Sequence, residues 1–211
     1  MTHTRPPVDT PAPPPGAPAP EPPAGAVAPR PRLRAEPRDA FRLPLLTFLL
    51  AGCAVALVLG VYAAEHEPAG YSLDVPGFSS PLYVKAWLTT AAAVAGVVQL
   101  LTAARMHDAG APPWTRTAHR WSGRLAVVLT VPVVVHCVYA LGFQAGSTRA
   151  LVHSALGCFF YGVFVTKMLA LTRRGLPRWV VPVLGGAVFT GLIGLWLTSS
   201  LWVFTSSGFR L

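Results

Sequence analysis

Five apolar stretches dominate the sequence, and each is close to the roughly 20 residues that an α-helix needs to cross a bilayer. They cover about residues 43–64, 82–104, 121–143, 150–171 and 179–204. Lipid cannot hydrogen-bond to a polypeptide backbone, so each stretch has to form its hydrogen bonds internally and is expected to be a helix. The sequence therefore predicts an all-α, polytopic membrane protein in which residues 41–206 form a bundle of five transmembrane helices.

The residues before the first apolar stretch have a different character. Residues 1–40 are rich in Pro and Ala, and 13 of the 22 prolines lie there. Such a segment has too little apolar surface to offset the entropy lost on ordering. It is expected to be a disordered cytoplasmic tail that acts as a tether, with partner docking as the alternative.

The positive charge follows the ends of the apolar stretches. The net charge is +9, but the arginines flank the stretches and form no basic face of the kind that binds nucleic acid. By the positive-inside rule they place the N-terminus in the cytoplasm and the C-terminus outside. The chain has no Asn, one Ile and two Lys, a bias typical of a GC-rich bacterial genome, so we expect a bacterial plasma membrane. The arginines that set the orientation are Arg30, Arg32, Arg34, Arg38, Arg42, Arg105, Arg116, Arg120, Arg124, Arg173, Arg174 and Arg178.

Two histidines in consecutive apolar stretches are the strongest candidate site. His136 lies near the end of the third stretch and His153 near the start of the fourth, so both are expected at a similar depth in the outer part of the bilayer. Ionisable groups inside spans are costly and usually functional. Neutral imidazole ligates iron well, so His136 and His153 are candidate axial ligands of the iron of a haem b. The alternative is that they bond to each other or to a backbone carbonyl.

A weaker candidate lies on the cytoplasmic side. His107 ends the second stretch and His119 precedes the third, and together they could hold a second haem. Lys167 and Arg124 are candidate partners for haem propionates. His66, in the first outer connection, is expected to be solvated.

The residues at the start of the third stretch also carry a family resemblance. His119-Arg120-Trp121-Ser122-Gly123-Arg124, followed by an apolar run to His136 and then by His153, resembles the transmembrane cytochrome b-561 and ferric-reductase-like superfamily. The resemblance covers residues 119–171. It implies a helical bundle that moves electrons across the membrane through b-haems bound to membrane histidines.

Other functional classes lack their signatures. The apolar stretches contain no Asp or Glu, which disfavours an ion-coupled transporter, and no nucleotide, hydrolase or zinc-protease motif occurs. Three cysteines inside apolar stretches form neither a disulfide framework nor a metal motif. The leading prediction is an electron-transfer subunit of a membrane oxidoreductase with one or two haems, reduced by quinol or by a separate reductase. The alternative is a cofactor-free membrane scaffold or assembly protein; the oligomeric state stays open.

Overall fold

Five long helices make up the membrane domain. The computed structural model describes residues 41–71, 75–106 and 108–210, so the predicted N-terminal tail and His107 lie outside the described residues. All five helices are long and apolar enough to cross a membrane, and the protein is a multi-pass membrane protein. Their bounds are α1 Arg42–Glu65, α2 Pro81–Arg105, α3 Trp114–Leu141, α4 Thr148–Thr172 and α5 Val180–Ser207.

The predicted fold class is confirmed, since the regular structure of the described residues is entirely helical. Four helices begin within two residues of the predicted stretches. The exception is α3, which begins at Trp114, directly after Pro113. Proline is favoured at the start of a helix because its missing N–H has no partner there anyway. The polar residues before the third apolar stretch therefore belong to the helix, and His119 lies inside α3.

Successive helices run in opposite directions, so the bundle has two ends. At one end α1, α3 and α5 finish while α2 and α4 begin, and we call this the His153 end. The opposite end is called the His119 end. Neighbours along the chain are not always neighbours in space: α1 packs on α4, α4 on α5, α5 on α2, and α2 on α3. The last turns of α3 reach α1, which brings all five helices around one space at the His153 end.

The buried side chains form small clusters between these pairs. At the middle, Ala92, Phe160 and Leu192 join α2, α4 and α5. At the His153 end, Tyr83 packs with Val203, and its hydroxyl donates to the Ser207 carbonyl at 2.9 Å. These contacts fix the end of α5 against the start of α2.

Two helices change their winding at the His153 end. Residues His136–Leu141 of α3 and Leu197–Leu201 of α5 are π-helical. In α3 this change follows Pro132, which lacks the N–H that an α-helix would use. Short π-helical segments inside α-helices are frequent at functional sites. Both segments here lie beside the cavity described next.

Candidate functional site

A cavity of about 280 Å³ lies between the five helices at the His153 end. Its volume is just below the range of about 300–1,000 Å³ that is usual for small-molecule sites. The walls are mainly apolar. Two polar lining residues are bonded to each other, since the Tyr161 hydroxyl donates to the Thr130 hydroxyl oxygen at 2.9 Å. The side chains that bring charge or imidazole chemistry to the walls are Lys85, Arg149 and His153.

His153 is held in one orientation by α5. Its Nδ1 lies 2.9 Å from the hydroxyl oxygen of Thr198, and that hydroxyl donates to the Gly194 carbonyl at 2.8 Å. With the Thr198 hydroxyl donating to that carbonyl, we assign the proton of the contact to His153 Nδ1, which then donates to Thr198. This assignment of the tautomer leaves Nε2 unprotonated and able to accept a proton, a hydrogen bond or a metal ion. Imidazoles that ligate metals are commonly oriented by such a bond at the other nitrogen.

Arg149 is fixed by the same turn of α5. Its Nη1 donates to the Thr198 carbonyl at 2.8 Å, and its guanidinium carbon lies 3.8 Å from the centroid of the Trp202 ring. The π-helical segment Leu197–Leu201 thus positions an imidazole through the Thr198 side chain and a guanidinium through the Thr198 carbonyl.

Lys85 contributes a second positive charge from the first turns of α2. It is half-buried and lines the cavity together with His153 and Cys137. The cavity-lining residues, all of them in the described part of the chain, include no Asp or Glu. The site therefore combines apolar walls with two cations and one basic nitrogen.

His136 does not share this cavity. It is only 5% exposed, but it is not among the lining residues, whereas Val134 and Val138 are. Val133 and Cys137 line the cavity as well, so the lining face of α3 passes beside His136. The Nδ1 of His136 is buried and has no hydrogen-bond partner among the described residues. The structure places both histidines at the His153 end of the bundle, but only His153 in the wall of this cavity.

His119 lies in a polar network between α2 and α3. Its Nε2 is 2.9 Å from the Gln99 side-chain nitrogen, and the Gln99 side-chain oxygen accepts from the Ser122 hydroxyl at 2.7 Å. The amide nitrogen must therefore donate to Nε2, and the proton of His119 lies on Nδ1, 3.1 Å from the Gln99 carbonyl and from the Thr102 hydroxyl. Both ring nitrogens are in use, so neither is free to ligate iron.

The other candidates from the sequence lie elsewhere. Lys167 follows His153 by 14 residues of α4, about 21 Å along the helix, and lies toward the His119 end. Arg124 is exposed and stacks on Trp121, with its guanidinium carbon 5.2 Å from the ring centroid. Neither lines the cavity.

His66 corrects a prediction. It is half-buried and stacked between Tyr62 and Tyr139, at centroid distances of 4.9 and 5.0 Å, and its Nε2 is buried. The expectation that His66 is solvated was wrong, because the segment after α1 folds back along the end of α3. There the N–H groups of Ala69 and Gly70 donate to carbonyls of α3 at 3.3 Å.

Comparison with known proteins assigns a family and no activity. A model of a family of unknown function, DUF6529, matches residues 45–211. The chain belongs to that family. No curated protein and no solved structure matches the chain. The match begins within α1 and includes every residue that lines the cavity, so the site lies in the part of the chain that defines the family.

The cavity residues fit a haem b in some respects and not in others. His153 offers an oriented basic nitrogen, Lys85 and Arg149 offer charges suited to two propionates, and the remaining walls are apolar. His136 contributes nothing to this space, so the described residues supply one imidazole and not an opposed pair. A porphyrin would also have to widen a cavity of about 280 Å³.

Proposed function

We propose that the protein is an integral membrane b-type haem protein that carries electrons, with a single haem in the cavity at the His153 end. The observation that carries the proposal is the His153 imidazole in a mainly apolar cavity, with its Nδ1 2.9 Å from the Thr198 hydroxyl oxygen. The tautomer assigned above leaves Nε2 basic. An imidazole within a membrane span that is oriented by a second group is the arrangement expected of a metal ligand.

The chain's own residues would divide the work of holding the group. His153 would ligate the iron through Nε2, and Thr198 would keep that nitrogen deprotonated by accepting a hydrogen bond from Nδ1–H. Lys85 and Arg149 would neutralise the propionates, and the walls would exclude water. A bound haem b supplies a one-electron iron couple whose potential is set by ligation and burial.

The proposal differs from the sequence prediction in its ligand set. His136 has no part in it, and the second haem at His107 and His119 is not retained, because both ring nitrogens of His119 are bonded to α2. One haem per chain is proposed.

The arginine distribution supports an orientation in which the His153 end faces outward and the N-terminus lies in the cytoplasm of a bacterial cell. The haem would then lie in the outer half of the plasma membrane. The chain carries no nucleotide or flavin motif, so electrons would come from quinol or from a separate reductase.

The haem content of the purified chain tests this proposal. The protein is expressed in haem-supplied cells, and its haem is quantified as the pyridine haemochrome for wild type, His153→Ala and the matched control His119→Ala. We expect about one haem per chain in wild type and in the control, and nearly none in His153→Ala. Haem retained by His153→Ala would refute the assigned site. A haem-free wild type would refute the haem protein and leave the cofactor-free scaffold.

A further inference from the structure

We propose that Lys85 and Arg149 form an anion-binding site inside the membrane domain, so that the cavity takes a single-chain amphiphile with an acidic head group. This deepens the proposed function, since haem b with its propionates is one acidic amphiphile, but it does not require iron. The inference rests on the same cavity and on the two cations that the sequence analysis did not assign to a site.

The first observation is that Lys85 has no counter-charge among the described residues. Within them its ammonium group makes no hydrogen bond or ion pair, and no cavity-lining side chain is acidic. Lys85 lies in the first turns of α2 and is half-buried among the five helices. Charges within spans are rare and are normally paired or face a ligand or water pathway. A partner from outside the chain satisfies this requirement.

The second observation is that Arg149 is held in place by contacts that leave its charge unpaired within the described residues. Its bonds are to a carbonyl, that of Thr198, and to the face of the Trp202 ring. A guanidinium has five N–H donors, so others remain for an acidic group. Because Arg149 is fixed before a ligand arrives, little side-chain entropy is lost on binding. Lys85, Arg149 and His153 all line the cavity, so the two cations share one site with the imidazole.

The remaining walls define the rest of the ligand. They are formed mainly by apolar residues of all five helices, among them Leu59, Val133, Leu192 and Val203. A cavity of about 280 Å³ is close to the lower limit for small-molecule sites, which suits one apolar chain and not a two-chain phospholipid. His153 Nε2 adds a hydrogen-bond acceptor, which suits the proton of an incompletely ionised acid. Carboxylates and phosphate monoesters share this chemistry.

Binding of a fluorescent polyene fatty acid to the full chain in detergent tests the inference. Energy transfer from tryptophan to the polyene reports binding, and Trp202 itself lines the cavity. Lys85→Met removes the charge and keeps the length of the side chain. Lys167→Met is the matched control, because these are the only two lysines and Lys167 lies outside the cavity. Lys85→Arg restores the charge.

We expect the acid to bind wild type, Lys167→Met and Lys85→Arg alike, and to bind Lys85→Met about tenfold to a hundredfold more weakly, as for a lost charged hydrogen bond. The methyl ester of the same chain should bind wild type at least tenfold more weakly than the acid. Competition by an alkyl phosphate and by a free fatty acid then separates phosphate from carboxylate as the preferred head group.

Two results would overturn the inference: equal binding of acid and ester to wild type, or an equal effect of the two lysine-to-methionine changes. The comparison of acid with ester uses wild type alone, so it decides the matter even if Lys85→Met fails to fold. Acid binding by a protein that contains no haem would support this inference while refuting the haem proposal. Haem binding that is unchanged by Lys85→Met and is not competed by the acid would support the haem proposal and refute this inference.

Discussion

Replacing Gly162 by alanine should separate α1 from α4. A methyl group at Gly162 would lie 2.7 Å from the Gly52 carbonyl oxygen and 3.0 Å from the Ala56 Cβ. The first distance is about 0.7 Å short of ordinary van der Waals contact, and its neighbour is backbone, which cannot rotate away. The helices must therefore move apart along the face where Thr166 donates to the Phe48 carbonyl at 3.2 Å.

The size of the effect follows from two opposing contributions. A gap of 0.5–1 Å forfeits about a quarter to a half of the dispersion energy of the atoms concerned, and an added methyl in a tight contact costs about 1–3 kcal/mol. Alanine is intrinsically better than glycine in a helix by about 0.5–1 kcal/mol. We expect a net loss of about 1–2 kcal/mol in the free energy of unfolding. The loss should be measurable because α1 is otherwise exposed, with Gly52 and Ala63 as its buried residues.

The assay is unfolding of the purified protein by a denaturing detergent, followed by circular dichroism. Gly186→Ala on α5 is the matched control, because a methyl there meets nothing within 4 Å. It should leave stability unchanged or raise it slightly. A Gly162→Ala protein as stable as wild type, or a control equally destabilised, would refute the reasoning about the α1–α4 contact.

Three further predictions concern the polar groups and the topology. Gln99→Leu removes the partner of His119 and should cost about 1–3 kcal/mol in the same unfolding assay without changing the haem content; loss of haem would contradict the structural role given to this network. Thr198→Val removes the acceptor for His153 Nδ1 and should weaken haem binding about tenfold to a hundredfold in a spectroscopic titration, while unaltered affinity would show that the bond does not orient the ligand. Gly146 lies in the exposed connection between α3 and α4, which faces outward in the proposed orientation. A membrane-impermeant maleimide should therefore label Gly146→Cys in intact cells above the wild-type background. Labelling only after lysis would show the opposite orientation.

The sequence predicted the helices well because the physical requirement is local. Each span needs about 20 apolar residues, and that count can be read without knowing any neighbour. The helix that extended furthest beyond its predicted stretch, α3, did so through polar residues that a hydropathy count cannot assign to a helix. The pairing of helices was less accessible, since it depends on close packing. Even so, the small residues Gly52 and Ala56, and Gly162 and Thr166, recur at the four-residue spacing typical of close contacts between membrane helices.

The site could be predicted in part. Depth in the membrane follows from counting residues, which is how His153 was selected, and His136 was selected by the same argument. The rotation of His136 about the helix axis depends on the winding of α3 after Pro132, and in the structure His136 is not among the residues that line the cavity with His153. Lys85 was missed because a lysine near the end of a span is usually expected to reach the interface. Arg149 lies just before the predicted fourth stretch, and only the structure shows it bonded to α5.

The measurement that tests the central claim most directly is the dithionite-reduced minus oxidised spectrum of wild type, His153→Ala and His136→Ala, all purified in the same detergent. The account predicts haem bands in wild type, nearly unchanged bands in His136→Ala and their loss in His153→Ala. Bands that disappear equally in both variants would show that the two imidazoles ligate one iron, and would contradict the placement of His136 outside the cavity.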